Sequence, residues 1–414
     1  MDMKVNHRRL TGKIGQRSTD PLRARPLTES VFRLIWREHR ISRAEIARQF
    51  GLSRSTVTEI VKVLLTSGFI NEVGSGKSSG GRKPIVLEFQ DETYVAIGID
   101  IGVTHVAVAL TDLRGKLIVW KEEPWPVRSD PKGTRELITR LCTECLLEPG
   151  YSKENLLTIG IAVPSPVDPL QPSWLPEVVI PAWKGSVELD QILKEFDVPF
   201  HIDNDANLGA LAEYWWGAGR GIEDLIYIKI AFGIGAGYIL NGETYRGANG
   251  VAGEFGHIPI DSSGRKCVCG LNGCLASFVG EPALEERLQV LLKDYPDSLL
   301  ADRLPSLGNI EDAALQDDDL AQKIVNEVAD YLGIAIAGWC NLMNPQKVIL
   351  GGSLTKLEDM LLGPIRERIN SGTLVTSAAD TEICISELGN RAIATGAATY
   401  ALNKEFHELA FLNV

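Results

Sequence analysis

Three cysteines and one histidine lie close together in the chain, at a spacing that suits a metal ion. His257, Cys267, Cys269 and Cys274 form the pattern H-x9-C-x-C-x4-C. Three thiolates and one imidazole are a donor set that holds Zn²⁺ in closed, tetrahedral structural sites. The sequence therefore predicts a structural zinc site in this segment.

Length and cysteine content limit the class of protein. The chain has 414 residues, enough for two or three domains, and seven cysteines, an odd number. In a chain of this size an odd count favours reduced thiols and a metal over a disulfide framework. Neither an apolar run of membrane-spanning length nor a signal-peptide pattern is present, so we expect a cytoplasmic chain without a membrane contact.

The charge of the chain is distributed unevenly. The whole chain has a net charge of -12, yet residues 1–90 contain 17 Lys and Arg against 8 Asp and Glu. A basic head on an acidic body favours a nucleic-acid-binding module joined to a second function. The alternative is a terminus that is basic by chance.

The basic head has the pattern of a helix-turn-helix. Apolar residues recur at helical spacing between residues 28 and 40, which predicts a first helix. Ser42 and Glu45 have the spacing of a capping box, which predicts a second, short helix ending near Gly51.

A third helix is predicted to begin after Ser53, whose side chain can cap it. Its apolar stripe consists of Val57, Ile60, Val61, Leu64 and Leu65. Outside this stripe lie the residues that we expect to read base edges in the major groove, namely Arg54, Ser55, Thr56 and Thr58. A plain three-helix bundle is the alternative, because any amphipathic helix has a polar face.

Two β-prone runs after residue 70 predict a hairpin wing. The Gly- and Ser-rich loop between them carries Lys77, Arg82 and Lys83, cations suited to phosphates or a narrow minor groove. We therefore expect a winged helix-turn-helix at residues 27–90 that binds operator DNA. Residues 1–26 are predicted to be a flexible basic arm.

Several strand-to-turn motifs follow in the acidic body. They are Asp100-Ile-Gly102-Val-Thr104, Asn204-Asp205-Ala-Asn207, Gly233-x-Gly235-x-Gly237, Gly253-Glu254-x-Gly256-His257, the cysteine segment and Gly351-Gly352-Ser353. The order of these motifs resembles that of the ROK family of repressors and sugar kinases. With the winged helix in front, the chain resembles the ROK transcriptional regulators, particularly the xylose, glucose and N-acetylglucosamine repressors.

This resemblance implies a two-lobed α/β body of the actin-like, ribonuclease-H-like sugar-kinase fold. We expect the first lobe at residues 91–203 plus 389–414. The second lobe, with the zinc site and an effector cleft, is expected at residues 204–388. A homodimer or homotetramer on a pseudo-palindromic operator is implied as well.

The resemblance also implies roles for residues in the cleft. In ROK kinases the aspartate of the Asn-Asp pair is the general base, a role that corresponds here to Asp205. Asn204, Glu254 and His257 would bind sugar hydroxyls, and His257 would also ligate zinc through its other nitrogen.

Five positions depart from the pattern of an active kinase. The first phosphate loop has Val103 and His105 in place of Gly and Lys, and the second has Phe232 in place of a threonine whose hydroxyl meets phosphate. Val179 and Ala276 replace an amide and a carboxylate that bind sugar hydroxyls in the kinases. We therefore predict a protein that is not an enzyme, in which Asp205 is a vestigial base that binds ligand.

The favoured function is a transcriptional regulator, a repressor of carbohydrate-utilisation genes such as those for xylose, whose operator binding is modulated by a sugar or sugar derivative. An active ROK sugar kinase with an appended DNA-binding domain is one alternative. A zinc-stabilised scaffold that binds a protein partner is the other.

Overall fold

In the computed structural model, the described residues are 26–66, 68–75, 85–167, 183, 194–303, 305–372 and 380–411. Except for Pro26, the predicted basic arm lies outside them. No helix in these ranges is both long and apolar enough to cross a membrane.

The N-terminal head consists of helices packed on a small sheet. Its elements are α1 (Pro26–Glu38), β1 (Arg40–Ser42), α2 (Arg43–Phe50), α3 (Arg54–Leu65), β2 (Ile70–Ser75) and β3 (Ile85–Phe89). Antiparallel pairing of β2 with β3 confirms the predicted wing hairpin. Strand β1, which the sequence did not predict, pairs with the other edge of β3.

Local capping explains where the two helices of the helix-turn-helix begin. The Ser42 side chain accepts from the Glu45 backbone N–H, and the Glu45 side chain accepts from the Ser42 backbone N–H, which confirms the capping box. Gly51 ends α2 with a φ of 63°, a left-handed conformation that glycine adopts without strain. Ser53 Oγ accepts from Thr56 N at 3.1 Å and caps α3.

The first helix ends earlier than the sequence predicted. His39 has a φ of 62°, so the helical conformation cannot continue past Glu38. Arg40 then pairs with Glu88 as the first residue of β1. A left-handed residue, His39, and the first residue of β1, Arg40, therefore occupy the two positions that the apolar periodicity had assigned to the helix.

The first sheet of the body has the strand order β6-β5-β4-β7-β8. Its elements are β4 (Val95–Ile101), β5 (His105–Asp112), β6 (Leu117–Pro124), α4 (Pro131–Leu146), β7 (Leu156–Val163) and β8 (Phe200–Asn204). Strands β4, β7 and β8 are parallel, so their carboxyl ends meet at one edge. In open α/β sheets this edge is where ligands bind.

The second sheet has the order β11-β10-β9-β12-β13, and helices cover it. This part comprises α5 (Asp205–Trp216), β9 (Leu225–Ile230), β10 (Ile234–Leu240), β11 (Glu243–Tyr245), α6 (Ala276–Val279), α7 (Glu281–Leu291), α8 (Leu307–Ala314), α9 (Asp319–Met343), β12 (Lys347–Gly352), α10 (Glu358–Gly372), β13 (Glu382–Ile385) and α11 (Ala392–Phe411).

Two helices lie between the sheets. Helix α11 packs on β4, β7 and α5, while α5 also packs on β9 and β10. The packing of α11 is close enough to require glycine, because a Cβ at Gly98 or Gly160 would lie 1.8 Å from a carbonyl oxygen of the helix. The C-terminal helix thus packs on the first sheet.

Helix α9 has an apolar stripe, which either a core or a dimer interface could bury. Its residues Ile324, Val328 and Leu332 are buried in the core on the second sheet. Trp339 stacks on Tyr238 with ring centroids 4.9 Å apart. Intramolecular packing therefore accounts for this stripe.

Candidate functional site

The four predicted metal ligands come together in space. The donor atoms of His257, Cys267, Cys269 and Cys274 all lie within 4.8 Å of one another. Cys269 Sγ and Cys274 Sγ are 3.6 Å apart, and Cys267 Sγ lies 3.4 Å from His257 Nδ1. A tetrahedral zinc ion with Zn–S bonds of about 2.3 Å requires sulfur atoms about 3.8 Å apart, so the donor set fits this metal.

The backbone around the cysteines brings the donors together. Two isolated bridges, Pro259 with Cys274 and Lys266 with Asn272, fold the segment back on itself. Gly270 has a φ of 93°, which permits the tight turn after Cys269. Cysteines at this spacing therefore meet because the chain between them is a short antiparallel loop.

A cleft of about 400 Å³ lies beside this cluster. Its walls include all the residues predicted to bind an effector, namely Asn204, Asp205, Glu254 and His257. The His257 ring spans the two sites, because Nδ1 faces Cys267 while Nε2 lies 3.9 Å from Glu254 Oε2. Burial raises the pKa of Glu254. The charge of Asp205 raises this pKa further, whereas His257 lowers it.

Asn204 caps the helix that begins at the cleft. Its Oδ1 accepts from the backbone N–H groups of Ala206 at 3.0 Å and Asn207 at 3.2 Å. Its Nδ2 donates to the Ser165 carbonyl and to Asp205 Oδ1, both at 3.2 Å. The Asn-Asp pair is therefore held in place at the first turn of α5.

Asp205 has a partner that the sequence analysis missed. Lys229 Nζ donates to Asp205 Oδ2 at 2.6 Å, and both residues are buried. Burial opposes the charged form of Lys229, but attraction to Asp205 and Asp100 outweighs it and raises the lysine pKa. The signal in the sequence was a single lysine inside the apolar strand β9, where a charge needs a nearby counter-charge.

A second charged pair lies at the end of β4. Asp100, with 1% of its surface exposed, has Oδ2 3.4 Å from His105 Nε2. Burial works against ionisation of both groups. The hydrogen bond to His105, together with the charges of Lys229 and His105, outweighs burial and lowers the pKa of Asp100. The hydrogen bond to Asp100 and the charge of that carboxylate raise the pKa of His105. His105, at the start of β5, is thus a partner of the Asp100 carboxylate near the end of β4.

The residues that depart from the kinase pattern also line the cleft, and one of them has a cation above it. The Arg128 guanidinium lies 5.4 Å from the centre of the Phe232 ring. Val103 and Ala276 are half-buried on the same walls. Val179 lies outside the described residues.

The predicted DNA-reading residues share the first turns of α3. Arg54, Ser55 and Thr58 are exposed, and Thr56 is half-buried. All three hydroxyls are already engaged, because Thr58 Oγ1 donates to the Arg54 carbonyl, while Ser55 Oγ and Thr56 Oγ1 lie 2.7 Å and 2.8 Å from Ser53 Oγ. The wing cations Lys77, Arg82 and Lys83 lie outside the described residues.

Comparison with known proteins agrees with this architecture. The ROK family matches residues 96–404, and a winged helix-turn-helix DNA-binding family matches residues 26–71. The xylose repressor of Bacillus subtilis strain 168 is 33% identical over 368 residues, which are 88% of this chain and 91% of that protein.

Two solved structures resemble this chain, one over nearly its whole length and the other over three quarters of it. The crystal structure of a ROK family transcriptional regulator, a homologue of the E. coli MLC protein, has a TM-score of 0.77 at 25% identity and covers 93% of this chain and 97% of its own. A ROK family glucokinase from Streptomyces griseus, in complex with glucose and AMPPNP, has a TM-score of 0.66 at 28% identity. The match covers 75% of this chain and 99% of the glucokinase.

A winged helix-turn-helix joined to a two-lobed, actin-like body defines a DNA-binding transcriptional regulator. The chain belongs to the ROK family. The similarity to the MLC homologue includes the DNA-binding head, whereas the glucokinase matches three quarters of the chain.

Proposed function

We propose that this protein represses carbohydrate-utilisation genes and that a sugar or sugar derivative in the cleft modulates its binding to operator DNA. The observation that carries the proposal is a single helix, α5, which begins in the cleft at Asp205 and ends against the DNA-binding head. Its 12 residues correspond to about 18 Å.

The end of α5 contacts the head through aromatic rings. Trp215 lies against Trp36 of α1, with ring centroids 4.8 Å apart. Trp216 Nε1 donates to Thr399 Oγ1 of α11 at 2.8 Å. A shift of α5 would therefore move both a residue of the head and the helix that supports the head.

The head is also held on the body directly. The Phe406 ring of α11 is 5.0 Å from the rings of both Phe32 and Trp36. Trp36 Nε1 donates to the Leu113 carbonyl at 2.7 Å, and the Arg114 guanidinium donates to the Trp36 carbonyl. These contacts support a head that moves together with the body when the two lobes close. Such a movement would change the distance between the recognition helices of two paired heads.

Asn204, Asp205, Glu254 and His257 are the residues that we propose bind the effector. They supply carboxylate, amide and imidazole groups on one cleft, the chemistry that sugar hydroxyls require. Because Asn204 caps α5, a sugar that contacts this side chain acts on the end of the helix that leads to the head.

Zinc is the metal that we propose for His257, Cys267, Cys269 and Cys274. When bound, a Zn²⁺ ion supplies structural cross-linking rather than reaction chemistry, because a four-ligand site leaves no open position. The His257 ring would then have a fixed orientation toward Glu254 in the cleft.

For DNA we propose that Arg54, Ser55, Thr56 and Thr58 read bases and that Lys77, Arg82 and Lys83 contact the backbone or minor groove. Paired heads of a homodimer or homotetramer would bind the two halves of a pseudo-palindromic operator. The proposed division of the chain is a basic arm at 1–26, the head at 27–90, a first lobe at 91–203 plus 389–414 and a second lobe at 204–388.

A sugar kinase is the second candidate, because a ROK glucokinase shares the fold of the body. Three features argue against it. Phe232 cannot donate a hydrogen bond to phosphate, Val103 adds bulk in the first loop, and Lys229 occupies Oδ2 of the carboxylate that would accept the proton. We expect no ATP-dependent phosphorylation of xylose, glucose or N-acetylglucosamine, and turnover that Asp205→Asn abolishes would establish the kinase instead.

The regulator is tested by titrating candidate sugars into the protein with and without operator DNA. A ligand shifts the two states only through different affinities for them, so sugar affinity should fall when operator is bound. Equal affinities would refute the coupling while leaving DNA binding intact.

A further inference from the structure

Ser165 lies on the wall of the cleft, and its hydroxyl oxygen has no hydrogen-bond partner among the residues that the structure describes. The residue is buried, with 2% of its surface exposed. A hydroxyl that loses water without gaining a partner is unfavourable, so a protein that keeps one at a ligand cleft has an unused binding group there.

The position of Ser165 in the sheet is that of a ligand-binding residue. It follows β7, which lies between the parallel strands β4 and β8. The carboxyl ends of β4 and β8 carry Asp100 and the Asn204–Asp205 pair, whereas no role had been assigned to the loop after β7. Ligands in open α/β sheets bind across the carboxyl ends of such neighbouring strands.

The backbone of Ser165 is restrained on both sides. Pro164 and Pro166 limit the rotation of the flanking residues. The Ser165 carbonyl accepts from Asn204 Nδ2 at 3.2 Å, and Asn204 in turn caps α5. The hydroxyl is therefore carried by a rigid segment that is bonded to the start of the helix leading to the head.

We propose that the Ser165 hydroxyl hydrogen-bonds a hydroxyl group of a polyhydroxylated effector and is a specificity-determining residue of the cleft. A hydroxyl both donates and accepts, which complements a sugar hydroxyl. This inference rests on the proposed sugar-binding function of the cleft and extends it to a residue and a ligand group.

Calorimetric titration of the full-length protein tests the inference, with D-xylose, D-glucose and N-acetylglucosamine as probes. Ser165→Ala should weaken binding of the best probe about 10-fold, the loss of one neutral hydrogen bond. The melting temperature of the variant without sugar should be unchanged or higher, because the variant removes an unpaired buried hydroxyl.

Thr111 offers a matched control. Its Oγ1 is equally buried and also has no hydrogen-bond partner within the described ranges, but Thr111 is on β5 and is not part of the cleft wall. Thr111→Val should leave sugar affinity unchanged. If buried hydroxyls affected sugar binding only through the stability of the fold, Ser165→Ala and Thr111→Val would change sugar affinity to the same extent.

Monodeoxy analogues of the best probe identify the sugar group and need no folded variant. One analogue should bind wild-type protein about 10-fold more weakly than the parent sugar does. Its affinity should be the same for Ser165→Ala as for wild-type protein, because the hydrogen bond is already absent. Equal affinity of wild-type protein and Ser165→Ala for the parent sugar would overturn the inference and leave the sugar-responsive function standing. Failure of wild-type protein to bind any of the probes would overturn both.

Discussion

Replacement of Lys229 by methionine tests the charge arrangement at the base of the cleft. Lys229 Nζ is 2.6 Å from Asp205 Oδ2, and the side chains retain only 11% and 9% exposure. Methionine has a similar length and no charge, so Lys229→Met removes the cation with little change in volume. The variant leaves the Asp205 carboxylate buried without its counter-charge.

The expected loss of stability depends on the hydrogen bonds that the Asp205 carboxylate keeps in the Lys229→Met variant. Its Oδ1 still accepts from Ala206 N at 2.7 Å and from Asn204 Nδ2 at 3.2 Å, whereas Oδ2 loses the ammonium. Breaking a buried ion pair from one side typically costs about 3–5 kcal/mol. We expect the low end of that range, about 3 kcal/mol, because two donors remain.

Urea unfolding measures this loss, and a double variant isolates the pair. Asp205→Asn removes the charge that Lys229→Met leaves unpaired, so the double variant should recover most of the lost free energy of unfolding. Lys121→Met is the control, because Lys121 pairs with Glu144 at 3.0 Å while both side chains are about one-third exposed, 31% and 35%. An exposed pair contributes little, so this variant should unfold close to wild type.

Two results would refute the reasoning. If Lys229→Met loses no more stability than Lys121→Met, the Asp205 carboxylate is not an uncompensated charge in the variant. If the effects of Lys229→Met and Asp205→Asn simply add, the two side chains are not energetically coupled in the folded protein.

The remaining predictions concern metal, DNA, coupling and pH. Chelation of the purified protein, or Cys269→Ser, should lower the melting temperature together with zinc content, because metal binding contributes folding free energy. Arg54→Ala should reduce discrimination between operator variants by about 1–3 kcal/mol at one base pair, measured by fluorescence anisotropy. Trp215→Ala should retain operator and sugar binding while the coupling between them falls from about 1–3 kcal/mol toward zero. The Asp100–His105 pair should stabilise the fold fully between pH 3.8 and pH 6.5, the ordinary pKa values of its members, since the first is lowered and the second raised in the folded protein. His105→Gln should therefore lose most stability near pH 5.5 and least above pH 8.

Contrary outcomes are specific to each prediction. Purified protein without stoichiometric zinc would exclude the metal, and a uniform loss of affinity for all DNA sequences would make Arg54 a phosphate contact. Unchanged coupling in Trp215→Ala would exclude α5 as the route to the head. Destabilisation by His105→Gln that is the same at pH 5.5 and pH 8 would mean that the pair is not ionic.

Local sequence signals were sufficient where a residue acts on its own neighbours. The Ser42–Glu45 capping box and the Ser53 cap involve residues three apart, and both were predicted and found. The three cysteines that cluster with His257 lie within eight residues of one another, so a short loop brings them together.

Other features depend on contacts between distant parts of the chain. The pairing of Lys229 with Asp205 joins a strand of the second sheet to the start of α5, 24 positions away. Strand β1 forms because β3, almost 50 residues later, offers it an unpaired edge. A local sequence pattern around Lys229 or β1 does not predict Asp205 or β3 as its partner.

Short-range patterns in the sequence were thus enough for the winged head and for the clustering of His257 with three cysteines, because capping, periodicity and turn chemistry act over a few residues. Only the tertiary structure decided that a buried lysine neutralises Asp205 and that α5 runs from the cleft to Trp36. Such contacts arise when sheets and helices pack, and packing brings together side chains whose separation in sequence carries no information about their distance in space.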